Sequence, residues 1–205
     1  MNKDRVFELV DNFLIENHEV RFSKNQLMRE AKSISILEDL SLEESILLYD
    51  ELFKCIHDEH RVAKFNRVAN FPVVALLPKR ATVGSAGYDF FAPDDIHLFP
   101  GESTIVQTGM CCAIKKGWVL KIYPRSGLGF KYHAGLANTV GIIDSDYYYS
   151  DNGGQIMVKL VNNGSKEINI KKGEAFCQGI FSEYGLTIDD DVSLKRNGGF
   201  GSTTK

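Results

Sequence analysis

Apolar residues recur at helical spacing through the first third of the chain, and then the rhythm changes. Val6, Leu9, Val10, Phe13 and Leu14 fall on one face of a 3.6-residue repeat, and Ile46, Leu47, Phe53 and Ile56 repeat the pattern further on. Ser23 with Gln26, and Ser41 with Glu44, have the spacing of capping boxes, in which each residue satisfies the other's free backbone N–H. Three helices are predicted, over about 3–17, 24–39 and 42–68.

Every one of the 18 glycines and five prolines lies beyond Phe71. So sharp a change separates a helical segment from a turn-rich one. Past it come short β-rich runs, among them Thr104–Gln107, Trp118–Tyr123, Ile156–Val161 and Glu167–Ile170, cut by turn signals roughly every 8–12 residues. The pattern predicts an all-β sandwich or barrel over 71–205, behind an α-helical extension over 1–68.

With 205 residues, 43% of them hydrophobic and 25% charged, the chain has apolar mass for one good core and a small second one. A net charge of -3 and a pI near 6.0 argue against a nucleic-acid partner, which needs a basic face to displace counterions. Any anion handled here is small and held by a few placed cations and backbone amides. No apolar run approaches the roughly 18 residues of a membrane span, and no signal-like segment opens the chain, so a cytoplasmic protein without membrane contact is expected. Cys55, Cys111, Cys112 and Cys177 lack metal-ligand spacing. Adjacent Cys111 and Cys112 on a strand would face opposite sides, so buried free thiols are expected. His57 and His60, with Asp58 and Glu59 between them, are read as a charged helix face rather than a metal site.

Four segments, read as loops, combine small residues with charge: Ala86–Asp89, Pro124–Gly127, Gly141–Tyr147 and Arg196–Thr203. Glycine lets backbone N–H groups approach phosphate oxygens, arginine offers a bidentate fork and serine a hydroxyl donor. Phe200 between glycines near the end of the chain makes sense if its ring closes over something flat, such as a base.

Taken together, the blocks resemble the five motifs of the trimeric dUTPase family, in that family's order and spacing. They are AGYDFFA (86–92), PRSGLGFK (124–131), NTVGIIDSDY (138–147), KGEAFCQGIF (172–181) and RNGGFGST (196–203). The resemblance covers about 71–205 and none of the helical extension. It implies a distorted β-barrel or jelly roll and Mg²⁺-dependent hydrolysis of dUTP to dUMP and pyrophosphate. It also implies a homotrimer whose active sites each draw on three chains.

Site residues follow from the resemblance position by position. Asp144 matches the aspartate that activates the water attacking the α-phosphorus, and Gln178 the fourth-motif glutamine near that water. Asp89 matches the carboxylate that touches the Mg²⁺ hydration shell. Arg125, Ser126 and Gly127 match the phosphate-binding second motif. Tyr147 matches the tyrosine under the deoxyribose that leaves no room for a 2′-hydroxyl. The hairpin carrying Ile143 and ending near Met157 would read uracil through main-chain groups, with Asn138 near sugar and base. On a C-terminal arm over 194–205, Arg196 would meet the γ-phosphate, Phe200 the uracil, and Gly201, Ser202 and Thr203 further phosphate oxygens.

The chain departs from the family in places. Tyr148–Gly153 lengthens the third-motif hairpin and is read as a solvated loop tip beside the uracil pocket. Lys195 occupies the commonest position of the fifth-motif arginine, with Arg196 next to it. Ala175 and Phe176 stand where the family often has an arginine, which leaves Gln178 in place. The helical extension has no counterpart; it is expected to pack on the β-region, widen the trimer contact or bind a protein partner. Two other functions stay open: a dCTP deaminase-type relative, which would need a glutamate near the third motif, and a nucleotide-gated regulator that grips a partner through the helices.

Overall fold

The computed structural model describes residues 2–17, 22–57, 61–194 and 196. Phe200, Gly201, Ser202, Thr203 and Lys195, with His60, Asp58 and Glu59, lie outside them. The chain divides into two compact units, Met1–Val62 and Ala63–Lys205.

The first unit holds helices α1 (Lys3–Glu16), α2 (Lys24–Leu37) and α3 (Leu42–His57). Asn2 caps α1 by accepting from the Arg5 amide, and Ser23 and Gln26 form the reciprocal box at α2. At α3, the Glu44 carboxylate accepts from Ser41 N at 3.0 Å while Ser41 Oγ accepts from Glu44 N. The other oxygen of Glu44 takes the Asn2 amide at 2.7 Å, so one side chain ties the starts of α1 and α3 together. The apolar stripes meet in a small core of Val6, Val10, Phe13, Leu27, Ala31, Leu48 and Leu52.

The expected third helix runs past its true end. It stops at His57, and Ala63–Arg67 forms strand β1 instead. No glycine or proline announces the change, so helical periodicity carries over it. Tertiary packing decides the matter: Phe65 sits among the rings of Tyr88, Phe90 and Phe181 at 5.4–5.7 Å. Five residues of β1 pair with β6 (Met110–Ile114), from Ala63 opposite Ile114 to Arg67 opposite Met110.

The second unit is antiparallel β, as the turn-rich text implied. Its largest sheet has five strands in the order β2 (Lys79–Arg80), β3 (Tyr88–Phe91), β12 (Ala175–Glu183), β7 (Trp118–Pro124) and β9 (Gly141–Ile143). A second sheet sets β10 (Met157–Asn162) between β5 (Ser103–Gln107) and β8 (Ala134–Leu136), and β4 (Ile96–Leu98) pairs with β11 (Ile168–Ile170). The inward residues of these sheets, among them Phe90, Leu120, Ile122, Leu160, Ile168 and Phe176, form one continuous core. Cys111, Cys112 and Cys177 are buried and free. Burial pushes the thiols of Cys112 and Cys177 well up, with the charge of Asp89 adding to the effect at Cys177, so they stay protonated and unreactive. Among the described residues, no helix is long and apolar enough to cross a membrane.

Candidate active site

The first motif leaves its loop at Gly87 and continues as a strand. Tyr88 and Asp89 open β3, where Asp89 stands opposite Gln178 on β12, and Gln178 in turn lies opposite Tyr123 on β7. A register shift between Ala175 and Cys177 marks a bulge just before Gln178, a common device for re-aiming a side chain beside a site. The Gln178 amide lies over Gly87 and donates to Pro124 O at 3.5 Å.

The second motif begins where β7 ends. Arg125 is the N-cap of the short helix α4 (Ser126–Tyr132), and the amides of Leu128 and Gly129 both bond to its carbonyl at 3.1 Å. The first amides of a helix have no partner within it, so Ser126 and Gly127 can present N–H groups to an anion at an exposed surface. Arg125 Nε reaches Asp89 Oδ1 at 3.2 Å. Asp89 is 17% exposed and Arg125 44%, so the carboxylate is fixed while the cation keeps one side in solvent. Asp89, Arg125, Ser126, Gly127 and Gln178 therefore gather at one end of the five-stranded sheet.

Asp144 belongs elsewhere. Ile143 pairs with Leu120, so Asp144 falls beside Val119, four residues along β7 from the level of Gln178. Four residues of strand span about 13 Å and two strand spacings about 10 Å, so some 16 Å part the two backbones. At this second place, Asp144 caps a 3₁₀ turn (Ser145–Tyr149) that buries Tyr147. Arg196 joins Asp144 Oδ2 at 2.5 Å and stands 3.1 Å from Asp146 Oδ1, and its guanidinium lies 5.9 Å from the Tyr147 ring centre. Arg196 Nε makes no well-directed hydrogen bond, so its contact with Asp146 is mainly ionic. Ile143 is buried at the end of β9, and half-buried Met157 starts β10 opposite Gln107. Asn138 is exposed on the turn before β9, at the other end of that strand from Asp144.

The tip at Tyr148–Gly153 is solvated over Tyr149, Asp151, Asn152 and Gly153, as expected, but not throughout. Ser150 is buried and Tyr148 half-buried, and burial raises the Tyr148 phenol above its ordinary value. Asn152 Nδ2 donates to the Tyr147 hydroxyl at 2.9 Å. Sequence reasoning missed this contact and the ionic role of Asp146, because neither residue carries a local signature that separates it from a turn residue.

Among the described residues, no group of three His, Cys, Asp or Glu side chains is placed to hold a metal ion. A lone carboxylate such as Asp89 fits only an ion that keeps most of its waters and takes its other ligands from substrate, which is the habit of Mg²⁺.

The dUTPase family model matches residues 74–204. The deoxyuridine 5'-triphosphate nucleotidohydrolase of Lactococcus lactis is 40% identical over 130 residues, covering 62% of this chain and 87% of that one. The Shigella sonnei enzyme of the same name is 41% identical over 133 residues, covering 61% and 85%. The dUTPase crystal structure from Streptococcus mutans superposes with a TM-score of 0.55 at 32% identity, over 62% of this chain and 98% of that one. A dUTPase of Staphylococcus bacteriophage 80alpha shares the fold at 20% identity and a TM-score of 0.53, over 66% and 98%. With the motifs assembled as described and the family model spanning most of the chain, this protein belongs to the dUTPase family.

Proposed function

We propose that the chain hydrolyses dUTP to dUMP and pyrophosphate, in sites that form only between copies of a homotrimer. The separation of Asp144 from Gln178 within one chain carries this reading. A base and the phosphate-binding groups it serves must lie within a few ångströms of one another, and some 16 Å of rigid sheet prevents that here. Asp89, Arg125, Ser126, Gly127 and Gln178 of one copy therefore meet Asp144, Tyr147 and the hairpin of another.

In that site Arg125, the Ser126 hydroxyl and the Gly127 amide bind phosphate oxygens, and Asp144 takes the proton of the water that attacks the α-phosphorus. Gln178 orients the same water. Ile143, Met157 and Asn138 line the base and sugar, and the Tyr147 ring closes the space a 2′-hydroxyl would need. Arg196 exchanges Asp144 and Asp146 for the γ-phosphate, and Phe200, Gly201, Ser202 and Thr203 complete the arm over the nucleotide. Asp89 would hold a Mg²⁺ ion through water, which screens the triphosphate charge when bound. A deaminase-type reading is disfavoured because the third motif offers Asp144, Asp146 and Asp151 but no glutamate.

Two measurements test this. Pyrophosphate is expected from dUTP far faster than from dCTP, dTTP or UTP, with Mg²⁺ and not with EDTA; silence on dUTP removes the reading. For the shared site, two inactive variants, Arg125→Ala and Asp144→Asn, are unfolded and refolded together. Mixed trimers contain some intact sites and regain turnover, whereas a site contained in one chain leaves the mixture dead.

A further inference from the structure

We propose that Asn152 is a positioning residue for Tyr147, and through it a determinant of selection for deoxyribose over ribose. The inference rests on the reading of Tyr147 as the sugar gate. Tyr147 is 5% exposed, and its hydroxyl sits between two partners. It donates to Gln155 O at 2.8 Å and accepts from Asn152 Nδ2 at 2.9 Å, while the same nitrogen approaches Gln155 O at 3.4 Å. The phenol is thus held at its far end on both its donor and its acceptor side.

The backbone is built to deliver Asn152 to this place. Ser150 N bonds Tyr147 O at 3.0 Å and Gly153 N bonds Ser150 O at 2.8 Å, so the chain turns twice within seven residues. Gly153 and Gly154 then take φ of +70° and +67°, which L side chains rarely adopt, and a methyl on Gly154 would stand 2.7 Å from Tyr148 O. The turn brings the chain back over the tyrosine it has just left. Asn152, itself exposed, lies within the segment by which this hairpin exceeds the family pattern, so the added residues set a clamp on Tyr147 from a solvated tip.

A gate made by one ring excludes a hydroxyl only as well as the ring holds its place. The 3₁₀ turn fixes Cα of Tyr147, and the two hydrogen bonds fix the other end. Without the donated bond the ring gains room to tilt, and a ribose 2′-hydroxyl meets less resistance. The loss of one such bond corresponds to about a three- to tenfold change.

The test compares kcat/KM for dUTP and UTP in full-length protein. Asn152→Ala is expected to lower the dUTP/UTP ratio about three- to tenfold, with kcat on dUTP within about twofold of wild type. Asn152→Asp keeps the shape but has no N–H to donate, and is expected to lower the ratio as far. In a Tyr147→Phe background, which lacks the accepting oxygen, Asn152→Ala is expected to add nothing. A wild-type ratio in Asn152→Asp, or additive effects in the double variant, overturns the proposal. Tyr147→Ala separates the two levels. If it erodes the ratio while Asn152→Ala does not, the clamp alone is wrong; if it leaves the ratio unchanged, the gate falls and the clamp with it.

Discussion

Asp89 on β3 stands directly opposite Gln178 on β12, so the two side chains leave the same face of the sheet. Gly87, two residues before Asp89, leaves the space in which the Gln178 amide lies: a Cβ there would sit 2.4 Å from Gln178 Oε1. A carboxylate, an amide and a glycine are thus set in one arrangement by a single strand pairing, and Arg125 closes it from the end of β7.

Gly87→Ala is expected to cost activity with little cost in stability. The obstructed atom is the end of a flexible side chain, which can swing away, but only by abandoning its place over Gly87. Turnover of dUTP should fall about tenfold or more, in keeping with the loss of a well-placed catalytic group. Gly179→Ala, one residue after Gln178, should do the reverse. Its methyl would meet Leu120 Cδ1 at 2.7 Å and Phe90 Cε2 at 3.0 Å, both in the core. Overpacking there costs about 1–3 kcal/mol, seen as a lower melting temperature. Equal thermal losses in the two variants would refute this account.

Asp144→Asn should cut kcat about 10²-fold or more while nucleotide binding stays nearly intact, because an amide cannot take the proton. The substitution also weakens the grip on Arg196, which now pairs with Asp144 and Asp146. Single-turnover kinetics with a separate binding isotherm distinguishes the two effects. Turnover within threefold of wild type would remove Asp144 from the role of base.

Acid should loosen the helical unit through Glu44. Bonds from the Asn2 amide, then from the Ser41 side chain and amide, lower its carboxyl from 4.5 to about 2. A depressed carboxyl contributes stability that is present above its unfolded value and is lost as pH falls through the folded one. The window is therefore pH 4.5 down to about 2. Helical circular dichroism of the full chain should decline more steeply across that window in wild type than in Glu44→Gln, and parallel curves would refute the assignment.

The place of truncation matters. Removing 1–62 takes away a unit with its own core and leaves all of β1, so dUTP turnover should persist. Removing 1–68 also strips the five β1 residues paired with β6 and the Phe65 ring from its aromatic cluster. Burial of such a ring is worth about 3–5 kcal/mol, so the shorter chain should melt well below the longer. Equal melting temperatures for the two would show that β1 contributes nothing.

The sequence by itself determined what local physics determines. Capping boxes at Ser23 and Ser41 need only residues three apart, and they occur as expected. The turn-rich text beyond Phe71 announced the β-unit, and the five motifs identified the family, because each is a short string whose chemistry is carried by adjacent residues. Tertiary structure decided the rest. Ala63–Arg67 became a strand because Phe65 found three rings that lie 23 to 116 residues further along the chain. Strand register decided that Asp89 joins Arg125 and Gln178 while Asp144 stays some 16 Å away, and register depends on pairings that no local window contains. The clamp of Asn152 on Tyr147 joins residues only five apart, yet it depends on a turn through two left-handed glycines, whose geometry appears only once the chain is folded.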